Sequence, residues 1–152
     1  MFDKNSFLGT QTQEAGSTEY TPIPENEAGY AAMIEKVDAR QEQINGETAT
    51  LLDLTWLIND MDGSVEEATG LKKNTVRQSF FLDLTPVGGI DMSKGKNVPL
   101  NKLRDIFGQN VNGKPWSPMM MVQQSARIWV KHTMSQKGDD KMYTNVAKTA
   151  KL

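Results

Sequence analysis

The 152 residues suffice for one domain with a core of its own and are too few for two, and 38% hydrophobic with 24% charged residues is ordinary for a globular chain. No apolar run approaches the roughly 20 residues of a membrane-spanning helix; no secretory signal pattern opens the sequence; and the lack of cysteine excludes disulfides, thiolate zinc sites and a cysteine nucleophile. A cytoplasmic protein is expected. The net charge of −2 conceals an opposition: residues 1–93 carry 6 Lys+Arg against 16 Asp+Glu, while residues 94–152 carry 11 against 3. The second half therefore attracts a polyanion, unless its lysines only solubilise exposed strands.

Residues 1–21 are rich in Ser, Thr, Gln, Gly and acids, with apolar residues too sparse for a periodic face, so they read as a flexible or adherent N-terminal arm. Its Phe2, Phe7 and Leu8 either pack on a neighbouring copy or fray. The remaining residues, 22–152, form the folded domain. Pro22-Ile23-Pro24 stiffens the start, and Tyr30–Val37 is a first strand with helix as its competitor, ahead of a polar turn from Gln41 to Gly46. In Thr48–Ile58, alternation puts Leu52, Leu54, Trp56 and Ile58 on one face, which makes Trp56 a core residue.

Asn59–Ser64 only superficially matches a calcium loop, because Ile58 and Thr69 fall where carboxylates are required. A turn is expected there, then a short helical turn capped by Ser64 with Glu67 reciprocating, ending at Gly70. A third strand, Thr75–Leu84, alternates Val76, Gln78, Phe80 and Leu82 with Arg77, Ser79, Phe81 and Asp83; Phe81 is either a stacking residue or buried under a loop. Residues 85–98 form a glycine- and lysine-containing loop centred on Lys94-Gly95-Lys96, without the spacing of a phosphate-binding P-loop.

Pro99 to Gly108 carries Leu100, Leu103, Ile106 and Phe107 on one stripe and reads as a helix. Trp116, in the loop that follows, is open between core plug and exposed stacking residue. From Met119 the chain closes in a hairpin whose tip is Ser135–Lys141 and whose second run is Met142–Ala147. Its first run puts Ala126, Ile128, Val130, His132 and Met134 on one face and Arg127, Trp129, Lys131 and Thr133 on the other. A tryptophan between two cations on one face is a stacking plate flanked by phosphate-binding charges.

These segments give a mainly β fold: a five-stranded Greek-key, OB-like barrel with one short helix and a long C-terminal hairpin. The order PIPENEAGYAAMIEKV, a strand ending in TWLI, VRQSFFLDL, the helix PLNKLRDIFG and the hairpin MVQQSARIWVKH…YTNVAK resembles the OB-fold single-stranded DNA-binding proteins of tailed bacteriophages over residues 22–149. That resemblance implies a replication or recombination accessory that coats single strands without sequence preference.

On this reading bases stack on Trp129, Tyr143 and Phe81, while Arg127, Lys131, Lys141, Arg77, Lys72, Lys73, Lys94 and Lys96 neutralise phosphates. Single-stranded DNA, replication or recombination proteins and further copies of the chain are the expected partners, with no membrane and no cofactor. The competing expectation is a phage structural or host-interaction protein that uses the same face to bind protein. Catalysis is not expected: His132 is the only histidine, it falls on the inner face, and no carboxylate pair is placed with a base.

Overall fold

The computed structural model describes residues 1–18, 21–135 and 142–152. A single five-stranded sheet organises it, with β1 (Tyr30–Ile44), β2 (Glu47–Ile58), β3 (Thr75–Phe81), β4 (Ser125–Met134) and β5 (Met142–Ala150) in the order β3-β2-β1-β4-β5. Every neighbouring pair is antiparallel. The two edge strands, β3 and β5, nevertheless approach one another, so the sheet curls round towards closure.

Two irregularities favour that curl. Between Ile34 and Lys36 the pairing with β2 shifts by one residue, and at Trp129/Val130 the pairing with β5 shifts again. A residue inserted into one strand bends it and increases its twist, and here the extra residues are Glu35 on the central strand β1 and Ala147 on the edge strand β5.

The core fills the inside of the curl. Leu52, Leu54, Trp56 and Ile58 of β2 are all buried, as their alternation predicts, together with Ile34, Val76, Phe80, Ala126, Ile128 and Val130. Trp56 satisfies its indole N–H with the Gln78 Oε1 at 2.9 Å. Helix α3 (Val98–Ile106) covers one side with Leu100 and Leu103, and Phe107 reaches the Trp56 ring at 6.2 Å.

Several expected boundaries move. β1 runs on to Ile44, and the turn shrinks to Asn45-Gly46, both at positive φ, the tight hairpin that an Asn-Gly pair specifies. β3 stops at Phe81 rather than Leu84, the helix begins at Val98 and ends at Ile106 rather than Gly108, and β5 continues to Ala150. The stretch expected to open the last hairpin, Met119 onward, first makes a 3₁₀ turn, Pro118–Met121, so β4 starts at Ser125.

The short helical turn expected before Gly70 is α2 (Ser64–Thr69), and within the N-terminal arm, where no helix is expected, stands α1 (Lys4–Leu8), capped by the Asp3 carboxylate. Ser64 does not cap α2. Asp60 accepts from the backbone N–H groups of Val65 and Glu66, and Asp62 from that of Ser64, because Gly63 in the left-handed region offers no side chain. Among the described residues no helix is long and apolar enough to cross a membrane.

Candidate nucleic-acid interface

Where β3 and β5 approach, they leave a groove of about 670 Å³. On β3, Arg77, Ser79 and Phe81 point outward because Val76, Gln78 and Phe80 are drawn inward by the core. On β5, Tyr143 and Asn145 face outward opposite Thr133 and Lys131 of β4. The groove thus has Phe81 and Tyr143 on its opposite walls, 64% and 49% exposed, with Arg77 and Asn145 beside them and Leu100 and Val146 among its apolar lining.

Three of the residues singled out by sequence, Arg77, Phe81 and Tyr143, are therefore brought to one place. Lys131 stands one strand away, directly across from Asn145, and is exposed. Lys94 and Lys96 are exposed on the 85–97 segment, whose end returns to the groove at Asn97.

That segment is pinned. Asn97, buried with φ at +51°, accepts from the Asp83 N–H, donates its amide to the Asp83 and Asp91 carbonyls, and gives its own N–H to the Asp83 carboxylate. Ser93 holds Asp91 in turn: its hydroxyl and backbone N–H both donate to that carboxylate and keep its pKa below the ordinary value.

The other expected site residues lie elsewhere. Lys72 is exposed just before β3, while Lys73 forms an ion pair with Glu35. Lys141 lies outside the described residues, as does most of the hairpin tip.

Trp129 is not an open plate. Residues 23–29 lie along β4 as a strap: the Trp129 indole N–H donates to the Glu27 carbonyl at 2.9 Å, and Arg127 donates to that of Ala28 at 3.0 Å. The His132 N–H donates to the Glu25 carboxylate, and its ring nitrogen meets the Ile23 carbonyl at 2.6 Å. From β5, Lys148 places its ammonium 4.7 Å from the Trp129 ring centre. Of the face that the sequence offers to a ligand, Arg127 and Trp129 are thus engaged by the chain's own strap, while Lys131 and Thr133 stay exposed.

Trp116 is a plug. Its N–H donates to Gln109, and the guanidinium of buried Arg104 sits 4.1 Å above its ring, with burial pulling the Arg104 pKa down.

Sequence reading misses Asn97 and Asp53. Asp53 projects outward from β2 yet is only 6% exposed, and it accepts from Arg40 Nε at 2.8 Å, from an Arg77 terminal nitrogen and from the Ser79 hydroxyl. Burial raises its pKa, but the hydrogen bonds from Ser79, Arg77 and Arg40 outweigh that and hold it below the ordinary carboxylate value. The one signal is an aspartate in the middle of an apolar strand.

Among the described residues no group of three potential metal-ligating carboxylates and imidazoles comes together. No protein-family model matches the chain, and no curated protein is significantly similar to it.

Proposed function

We propose that this chain binds single-stranded DNA without sequence preference, in the groove between β3 and β5. The observation that carries the reading is the pair Phe81 and Tyr143, both exposed and lining one groove with Arg77. Soluble domains bury aromatic rings where they can, so two rings left open on one concave surface are suited to stacking on planar ligands. Each stacked base contributes about 1–3 kcal/mol. Arg77, Lys131 and Lys96 supply cations for the phosphates that run beside those bases.

Closing β5 on β3 converts the order β3-β2-β1-β4-β5, with a helix between β3 and β4, into a Greek-key barrel of the oligonucleotide-binding kind. That topology and the resemblance to phage single-stranded DNA-binding proteins support a part in phage DNA replication or recombination, in the host cytoplasm. The binding role falls to the groove pair rather than to Trp129, whose ring is already engaged by the strap.

A second reading, a protein-binding role in a phage structural or host-interaction protein, is favoured by the N-terminal arm, where Phe2 ahead of α1 and Phe7 and Leu8 within it are all exposed.

The test is fluorescence anisotropy with end-labelled oligo-dT against duplex and oligo-rU of equal length. Binding that favours the single DNA strand and is reversed by salt is expected. No anisotropy change at low salt overturns the proposal.

A further inference from the structure

A carboxylate on the outward face of a sheet ordinarily sits in water, where its charge costs nothing to keep. Asp53 does not. Cross-strand neighbours on both sides cover it, with Ser79 of β3 directly opposite and Arg40 and Arg77 reaching in diagonally. Both guanidinium groups meet the same oxygen, Oδ2, while the Ser79 hydroxyl takes Oδ1. Arg40 is held a second time by Glu42. Arg77 has only Asp53 among the described residues.

Stability alone is a weak reason for such a cluster, because a well-packed apolar replacement commonly serves a fold as well as a buried ion pair. What the carboxylate supplies is direction. A guanidinium is planar, with five donors in a fixed fork. Tied at one terminal nitrogen, it keeps its remaining donors in a defined plane.

Arg77 lines two depressions at once: the groove that holds Phe81 and Tyr143, and a second one of about 330 Å³ that contains Asp53, Lys36 and Thr55. Its side chain is 59% exposed, so the tie to Asp53 leaves it within reach of a ligand.

We infer that Asp53 is a positioning residue: it holds Arg77 on the groove wall so that the donors it leaves unused meet a phosphate of the strand whose bases stack on Phe81 and Tyr143. This rests on the groove being the nucleic-acid site. Binding then does not have to freeze a long, mobile side chain, and preorganisation of that kind appears as affinity.

Positioning and simple electrostatics differ here in sign. Asp53→Asn removes a negative charge beside a polyanion track, so Coulomb attraction alone strengthens binding. Loss of positioning weakens it.

The experiment measures labelled oligo-dT affinity for the wild type, Asp53→Asn, Arg77→Gln and the double variant, with thermal unfolding of each. The wild type binds, Asp53→Asn binds about three- to ten-fold more weakly, the worth of one hydrogen bond, and the double variant is no weaker than Arg77→Gln alone. If the wild type binds no oligo-dT, the groove reading falls and this inference with it. If the wild type binds but Asp53→Asn binds equally well or better, or its loss adds to that of Arg77→Gln, the inference is overturned while the groove reading stands. Should Asp53→Asn fail to fold, Ser79→Ala carries the test, since it frees one carboxylate oxygen without changing any charge. A smaller loss of affinity supports the inference, and unchanged affinity overturns it.

Discussion

Gly29 turns its bare α-carbon to the indole of Trp129: a Cβ there would lie 2.8 Å from Cε2, and the backbone φ is +70°. Only glycine meets both conditions without strain, and the strap from residue 23 to 29 depends on them. Gly29→Ala is expected to lower stability by about 1–3 kcal/mol, the usual cost of a side chain forced into left-handed backbone with a close contact. A fall in the thermal midpoint checks it, and an unchanged midpoint would show that the strap is not held there.

The same geometry separates the aromatic residues by what their removal does. Trp129→Ala should cost about 2–4 kcal/mol of stability, at or below the range for a fully buried aromatic. Phe81→Ala and Tyr143→Ala should leave the melting temperature nearly unchanged and each weaken oligo-dT binding by about 1–3 kcal/mol. Melting curves and anisotropy titrations on the three variants read both effects.

If the groove is the binding site, salt dependence separates the cations in and beside it from those elsewhere. The slope of log affinity against log salt should fall by about 0.7 for each single-strand phosphate that a substitution leaves without its cation. Arg77→Gln and Lys131→Gln are expected to do this. Lys73→Gln should barely alter the slope, because that ammonium is paired with Glu35 and, unlike Arg77, does not line the groove.

Asp53 makes a prediction in acid. Its folded pKa lies below the ordinary 3.8, so as pH falls the unfolded chain takes up the proton first. The stability that Asp53 contributes is therefore complete above 3.8 and is lost as pH drops through the folded value. Urea unfolding between about pH 6 and pH 3 should show a decline that is shallower in Asp53→Asn. Asp91 is shifted the same way by Ser93, so some decline remains in that variant.

The sequence reveals most where one face of a strand is dry. Leu52, Leu54, Trp56 and Ile58 alternate because the sheet buries that side, and all four are in the core. Beyond Val37 strand β1 is mostly exposed and no alternation is imposed on it, so the pattern gives out at Val37 on a strand that continues to Ile44. Outward placement of Arg77, Phe81 and Tyr143 is legible from periodicity. That Phe81 and Tyr143 come to line one groove is not, since it depends on two local shifts in pairing that carry no sequence mark. The strap's hold on Trp129 is equally hidden, because it joins residues 102 apart in the chain.

The protein's three indoles also determine how it can be watched. Trp56 gives its N–H to Gln78, Trp116 to Gln109 and Trp129 to the Glu27 carbonyl, and none of the three lines the groove. Ultraviolet emission excited at tryptophan wavelengths is thus a gauge of folding, and a strand lying between Phe81 and Tyr143 should leave it almost unchanged. The fold has placed its brightest reporters where they register the integrity of the scaffold and lie away from the groove.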